Sequence, residues 1–151
     1  MRAISAFVFL ALALTGLGRA HAADKVCKVE ISGNDLLQYD KAQLKIDGDC
    51  TQVQLTLSNV GKLPVQTMGH SWVLTKTPDM QAVLDAGNAA GLAHNYVPSD
   101  KRVIAATKLV GGGQSTSVTF STSTLQKGGD YTYFCSFPGH AAVMKGKFIY
   151  G

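Results

Sequence analysis

Charged residues are scarce in this chain, and the few it has form no long run of one sign. Only 16% of the 151 residues are Asp, Glu, Lys or Arg, and the formal net charge is +4. The longest basic run is Lys101-Arg102, whereas proteins that bind nucleic acids carry a clustered basic patch. The composition therefore argues against nucleic acids as partners.

An apolar run long enough to cross a membrane is also missing. Spanning the hydrocarbon layer takes about 20 apolar residues, and the longest run, Ala3 to Leu17, is shorter. An Ala-His-Ala sequence at 20–22 follows it, which is typical of a signal peptide and its processing site. We therefore predict a signal peptide over residues 1–22, and an exported domain over 23–151 without a membrane anchor.

Cysteine is rare, with three residues in all, and an odd number leaves one thiol unpaired. Cys27 and Cys50 lie 23 positions apart in the N-terminal third. A bond between them would stabilise the fold by roughly 3 kcal/mol through loop closure. Cys135 would then remain, and an unpaired thiol in an exported protein requires a function.

Alternating apolar positions in short runs predict a mostly β-stranded domain. Such spacing is typical of an antiparallel sandwich or barrel, and the one helical pattern runs from Met80 to about Gly87. The predicted strands are Val26–Ile31, Leu44–Ile46, Val53–Leu57, Trp72–Thr75, Arg102–Ala105, Ser117–Phe120, Tyr131–Cys135 and Lys147–Tyr150.

The most informative segment runs from Cys135 through His140 to Met144, between the last two predicted strands. Its Pro-Gly pair at 138–139 permits a sharp turn, so that the three side chains can converge on one point. His70, at the start of an interior strand, is a candidate fourth ligand.

Two imidazoles, one thiolate and one weak thioether are the ligands of a blue-copper centre. Taken singly, each residue is also compatible with an ordinary structural role. Zinc is the alternative metal, although it rarely recruits a thioether. A Cys nucleophile with a His base is the enzyme alternative, but it requires a third polar group that this loop does not supply.

The chain resembles the azurins, a family of bacterial periplasmic cupredoxins, over essentially all of residues 23–151. The motifs that carry this resemblance are Gly-Asn-Asp at 33–35, Met-Gly-His-x-Trp-Val-Leu at 68–74, Asp-Met-Gln at 79–81, Arg-Val-Ile-Ala at 102–105, Thr-Lys-Leu at 107–109, Ser-Val-Thr-Phe at 117–120 and Phe-Cys-x-Phe-Pro-Gly-His-x-Ala-x-Met-Lys-Gly at 134–146.

This resemblance implies an eight-stranded Greek-key sandwich with a short helical flap and a Cys27–Cys50 disulfide. It further implies a periplasmic one-electron carrier that uses one copper ion and is not an enzyme. The Gly69 carbonyl is then a long axial contact opposite Met144, and the backbone amide of Phe137 points at the Cys135 sulfur.

Two positions depart from the pattern of the family. Ser71 stands where asparagine usually follows the first ligand; serine is shorter, so we expect it to reach only its own loop or water and to leave the site looser. Asn59 replaces a histidine found near the site in a well-known relative, so a protonation-linked shift of potential is not expected here.

Apolar residues of the ligand-bearing loops are predicted to surround His140 and to form a weak docking surface. These residues are Leu63, Met68, Phe137, Pro138, Ala141, Ala142 and Val143. The expected partners of this monomer are c-type cytochromes and periplasmic reductases or dehydrogenases. The alternatives are a copper storage or delivery protein, which should carry more methionine or an exposed cysteine pair, and an adhesion or ligand-binding sandwich without a metal.

Overall fold

The computed structural model describes residues 24–151 and places them in two mixed β-sheets that face each other. Residues 1–22, the predicted signal peptide, lie outside the described residues. Within the described range the strands are β1 Val26–Asn34, β2 Gln38–Tyr39, β3 Gln43–Ile46, β4 Gln52–Asn59, β5 Val73–Lys76, β6 Ala105–Ala106, β7 Ser115–Ser121, β8 Tyr131–Phe134 and β9 Lys145–Tyr150.

The strand order is β2-β1-β4-β7 in one sheet and β3-β9-β8-β5-β6 in the other. The sheets do not close into a barrel, so the sandwich prediction is confirmed and the barrel alternative is wrong. The expectation of purely antiparallel pairing is also wrong, because β1 pairs with β4 and β3 with β9 in parallel. Alternation identifies which side of a strand is buried but not which strand lies beside it.

The core lies between the sheets, where every second residue of β4 is buried. Trp72 is completely buried and packs against the rings of Phe120, Tyr133 and Phe148, with centroid distances of 6.0–6.1 Å. The predicted Cys27–Cys50 disulfide is present, with the two Cα atoms 5.8 Å apart. It joins β1 to the connection between β3 and β4.

Within residues 24–151, two α-helices lie outside the sheets, α1 at Val65–Met68 and α2 at Met80–Ala90. The predicted helix is α2, which continues three residues beyond Gly87, because this buried glycine packs closely against the backbone of Tyr96 rather than ending the helix. The four-residue α1 was not predicted. Within residues 24–151, no helix has the length and apolar character needed to cross a bilayer.

Several predicted strand boundaries differ from the structure around the ligand-bearing loops. Only Ala105 of the predicted Arg102–Ala105 strand pairs in the sheet, because a turn held by the bonds of Arg102 to Asp100 occupies the preceding positions. β5 begins at Val73 rather than Trp72, and β8 ends at Phe134 rather than Cys135. His70 and Cys135 therefore both lie just outside regular strands.

Candidate metal centre

Three potential metal ligands, His70, Cys135 and His140, meet at one end of the sandwich. Their donor atoms lie within 4.8 Å of one another, and all three residues are buried. The Cys135 Sγ lies 3.6 Å from the His140 Nδ1, and the two imidazole centroids are 5.3 Å apart. The structure thus brings together three of the side chains that the sequence predicted as ligands.

His70 is oriented by the backbone on both sides of it. Its N–H and C=O pair with Val110, each at 2.9 Å, and its Nε2 lies 2.9 Å from the carbonyl oxygen of Asn34. A carbonyl only accepts, so a neutral imidazole carries its proton on Nε2 and leaves the lone pair on Nδ1. This Nδ1 is buried and finds no hydrogen-bond partner among residues 24–151.

Cys135 and His140 are positioned by the loop that connects β8 to β9. The Cys135 N–H donates to the Met144 carbonyl at 3.0 Å, and the Met144 N–H donates to the His140 carbonyl at 2.8 Å. The left-handed turn at Gly139, with φ of 82°, starts the 3-10 turn that carries His140. The loop therefore holds its two ends together around the thiol.

Met144 and Gly69 also border the site. Met144 is completely buried, and the Gly69 carbonyl oxygen lies 3.9 Å from the Cys135 Sγ. A Cβ built on Gly33 would come 2.8 Å from the His70 ring and 3.1 Å from the Met144 methyl carbon. Both side chains therefore pack against the backbone of β1 at this glycine. The glycine at position 33 is thus required by this close approach.

The electrostatics of the three residues suit a bound cation. Burial raises the pKa of the Cys135 thiol, while the backbone amides of Ser71 and Phe137 oppose that effect. Burial lowers the pKa of His70, and burial together with the nearby His70 lowers the pKa of His140 to about 4. The imidazoles are therefore neutral at pH 7, and a metal cation would supply the positive charge that stabilises a buried thiolate.

The donor set fits copper better than the other common metals. One thiolate, two neutral imidazoles and an adjacent thioether are soft and borderline ligands, which suit both copper oxidation states. The buried Nδ1 of His70, which has no hydrogen-bond partner among the described residues, is a donor atom that a metal ion would satisfy. Structural zinc usually takes more thiolates and no thioether.

The expectation that Ser71 reaches only its own loop or water is wrong. The Ser71 hydroxyl accepts from the Ser136 N–H at 3.0 Å and lies 2.8 Å from the Ser136 Oγ and 3.9 Å from the Cys135 Sγ. Ser136 extends the connection, since its hydroxyl donates to the Asn95 carbonyl at 3.1 Å. A second serine on the opposite loop thus makes up for the length that asparagine would have supplied.

We therefore expect Ser71→Ala to destabilise the protein by about 1–3 kcal/mol, because it leaves the buried Ser136 N–H without an acceptor. Urea unfolding of the copper-free protein measures this change. Ser58→Ala is the matched control, since Ser58 makes an exposed serine pair with Ser115 at 2.9 Å, and it should change stability by less than about 0.5 kcal/mol. Equal effects of the two substitutions would contradict the bridging role.

Asn59 is buried and fully hydrogen-bonded beneath the loop that delivers His70. Its Nδ2 donates to the Met68 and Val110 carbonyls at 3.2 and 3.1 Å, and its Oδ1 accepts from the Gly61 N–H at 3.0 Å. An amide does not titrate, so this position offers no protonation switch. It instead ties the end of β4 to the backbone of Met68 and to that of Val110, which pairs with His70.

Most of the predicted docking residues are accessible around the site, but one is not. Leu63, Pro138, Ala142 and Val143 are exposed, and Met68 and Phe137 are partly exposed. Ala141 is only 3% exposed, because it packs with Val73, Val83 and Phe134 in a small second core. Including Ala141 in the surface was therefore wrong.

Sequence reasoning missed four residues at this end of the molecule. Leu36 and Val60 are large apolar side chains that are 75% and 63% exposed beside the turns that follow β1 and β4. Asn34 supplies the carbonyl that orients His70, and the Tyr39 hydroxyl donates to the Ser71 carbonyl. Leu36 and Val60 could have been found from the sequence, since each is an apolar residue directly beside turn-forming residues. No local pattern marks Asn34 or Tyr39.

Comparisons with known proteins agree with this geometry. Residues 25–150 match the family model described as copper binding proteins of the plastocyanin/azurin family. The azurin of Bordetella pertussis is 54% identical over 121 residues, which cover 80% of this chain and 81% of that protein. Azurin-1 of Alcaligenes xylosoxydans xylosoxydans is 54% identical over 121 residues, covering 80% of this chain and 94% of that protein.

The azurin of Pseudomonas aeruginosa is 46% identical over 137 residues, which cover 90% of this chain and 93% of that protein. The matched part of the chain contains the complete His70, Cys135 and His140 cluster and both strands that flank its loop. The chain therefore belongs to the plastocyanin/azurin family of copper-binding proteins.

Proposed function

We propose that the protein is a periplasmic electron carrier that takes up and releases one electron at a blue-copper site. The observation that carries the proposal is the buried cluster of His70, Cys135 and His140, whose ligand atoms lie within 4.8 Å of one another and in which the His70 Nδ1 has no hydrogen-bond partner. In this proposal His70, Cys135 and His140 are the principal ligands, and Met144 and the Gly69 carbonyl are weak axial contacts. The predicted signal peptide supports the periplasmic location.

The residues around the site favour fast electron transfer because they hold the proposed ligand atoms in fixed positions. When bound, copper supplies the one-electron chemistry by alternating between Cu(I) and Cu(II). The Asn34 carbonyl fixes the His70 ring, and the bond from the Cys135 N–H to Met144 fixes the two ends of the loop. Burial excludes water, so little solvent has to reorganise when the charge of the site changes.

An enzymatic role receives no support from this site. Cys135 and His140 are 3.6 Å apart, which is the spacing that a nucleophile and base would need. However, Cys135 is completely buried, and no carboxylate joins the cluster among the residues that the structure describes. A substrate could therefore not reach the sulfur without opening the loop, and we propose an electron carrier rather than an enzyme.

A copper storage or delivery role is the alternative, and it would require a metal that leaves easily. His70 and Met144 are completely buried, as is Cys135, and His140 is only 5% exposed. A metal held by these four residues could not be handed to a partner without local unfolding. These burial values favour electron transfer over metal transfer.

The visible spectrum of the purified, copper-loaded protein tests the proposal. We expect an intense blue thiolate-to-copper absorption that ascorbate removes and a mild oxidant restores. A colourless copper complex, or colour that does not respond to ascorbate, would refute it. Rapid loss of copper to a competing Cu(I) chelator would instead favour delivery.

The proposed partners are c-type cytochromes and periplasmic reductases or dehydrogenases. They would dock transiently on the apolar surface around His140 of a monomeric protein. Exposed Ala142 and Val143 lie two and three positions after His140 in its loop, and Leu36, Val60 and Leu63 extend the apolar surface at this end. A small apolar contact without fixed charges permits quick association and release.

We expect Ala142→Lys to slow electron self-exchange by about tenfold, which corresponds to about 1.4 kcal/mol, because an ammonium group must be desolvated at the contact. Stopped-flow or NMR line-broadening kinetics measure the rate, and the visible spectrum should not change. Thr119→Lys is the matched control, since it adds the same charge at an exposed position of β7. If both variants slow exchange equally, net charge rather than docking is responsible.

A further inference from the structure

The peptide that follows Ser71 is held from two sides by side chains of distant elements. The Tyr39 hydroxyl of β2 donates to the Ser71 carbonyl, and the Trp72 N–H of the same peptide donates to the Thr107 Oγ1 at 2.9 Å. Ser71 itself is completely buried. Tyr39 thus supplies a donor to a carbonyl that is closed off from water.

The hairpin that carries Tyr39 contacts the His70–Ser71 segment at a second point. Asn34, which pairs with Gln38 across the hairpin, offers its carbonyl to the His70 Nε2 at 2.9 Å. Leu37 adopts the left-handed conformation with φ of 58°, which a leucine rarely does without fixed surroundings. The turn is held by bonds from the Leu36 and Leu37 amides to the side chain and the carbonyl of Asn34.

The aromatic ring of Tyr39 is itself held in place by the core. It makes an edge contact with Tyr133, with centroids 5.7 Å apart, and Tyr133 stacks on Trp72 at 6.0 Å. Burial raises the pKa of Tyr39 well above its ordinary value. The hydroxyl therefore remains protonated and available as a donor.

Ser71 connects this hairpin to the sulfur. Its hydroxyl lies 3.9 Å from the Cys135 Sγ and accepts from the Ser136 N–H at 3.0 Å, and its backbone amide lowers the pKa of the Cys135 thiol. Freeing the Ser71 carbonyl would let this residue rotate. The donors that it presents to the sulfur would then be less well aligned.

From these contacts we infer that Tyr39 is a positioning residue of the copper site: its hydroxyl holds Ser71 so that the Ser71 donors face the Cys135 sulfur. Donors beside the thiolate favour the reduced, less positively charged site. Loss of the Tyr39 hydroxyl therefore shifts the redox equilibrium toward the oxidised form. The inference rests on the proposed copper site, but it concerns a residue whose hydroxyl bonds to the Ser71 carbonyl and not to a proposed ligand.

The test compares Tyr39→Phe with Tyr133→Phe, since each removes one buried hydroxyl and keeps the ring. The Tyr133 hydroxyl donates to the Lys41 carbonyl, away from Ser71. In equilibrium with a fixed redox mediator, Tyr39→Phe should lower the fraction of reduced protein, with an equilibrium constant about two- to tenfold smaller, the range for one lost hydrogen bond. Tyr133→Phe should leave this constant unchanged, although both variants melt at lower temperature.

A second measurement does not depend on copper. In the copper-free protein, hydrogen exchange of the Ser71 amide should accelerate in Tyr39→Phe and not in Tyr133→Phe. The change in redox equilibrium should also be smaller when Tyr39→Phe is made in a Ser71→Ala background, because the alanine lacks the hydroxyl through which part of the effect passes. A change of undiminished size in that background would contradict the assignment.

The outcomes separate this inference from the function on which it rests. If the wild-type protein lacks the blue absorption, the proposed function fails, whereas the exchange measurement still tests whether Tyr39 holds Ser71. If the wild type is blue but Tyr39→Phe has the same redox equilibrium and Ser71 exchange as Tyr133→Phe, the positioning role is refuted.

Discussion

Cys135→Ser is expected to abolish the blue absorption of the copper-loaded protein while leaving both sheets folded. A serine hydroxyl cannot supply the thiolate that gives the colour and the strongest bond to copper. The two side chains are similar in shape, and the Cys135 N–H, which donates to the Met144 carbonyl at 3.0 Å, is unchanged. The loop between β8 and β9 should therefore keep its conformation with serine at position 135.

Visible absorption and circular dichroism of the wild type and the variant provide the measurement. The far-ultraviolet spectra should coincide, and the copper-free proteins should unfold at similar urea concentrations. The unfolding comparison is the control, because a variant that fails to fold would lose the colour for an unrelated reason. A blue absorption that survives in Cys135→Ser would show that the sulfur is not a ligand.

Removal of the disulfide should have the largest effect on stability. Replacing both Cys27 and Cys50 with alanine is expected to lower the free energy of unfolding by roughly 3 kcal/mol, because the unfolded chain regains the freedom of a closed loop. For a domain of this size that corresponds to a melting temperature lower by roughly 10–15 °C. Calorimetry of the copper-free proteins measures the difference.

The blue spectrum of the same variant is the internal control. Cys27 lies near the beginning of β1 and Gly33, which contacts His70, near its end. Six residues of extended strand separate them by about 20 Å. The colour should therefore be retained in the folded variant, and a changed spectrum would mean that the disulfide influences the ligands across the sheet.

Local spacing in the sequence accounts for most of the site. Cys135 and His140 lie on one loop between two strands, so their spacing alone was sufficient to predict that they come together. His70 was proposed as the fourth ligand from its place at the start of an interior strand alone, because nothing local connects it with a loop 65 positions later. The disulfide was predictable because three cysteines offer few pairings.

The remaining features depend on contacts between distant segments. Periodicity predicted the buried sides of β1 and β4 but not that these strands pair in parallel. Which strands become neighbours depends on contacts among all strands of the sheet and not on the pattern within one strand. The role of Ser71 depends on Ser136, and that of Tyr39 on a carbonyl 32 positions away. A hydrogen bond between distant residues leaves no periodic trace in a single sequence.

The close spacing of Cys135 and His140 also affects how much a metal ion can stabilise the fold. Five positions apart, these two donors remain neighbours in the unfolded chain, whereas His70 is 65 positions from Cys135. A ligand raises folding stability only to the extent that it binds the native state better than the denatured one, and metals bind unfolded Cys and His. The rise in melting temperature when copper binds therefore measures only the part of the binding free energy that is specific to the native state. That part comes from coordination by His70 and from the exclusion of water, and it is smaller than the full affinity for copper.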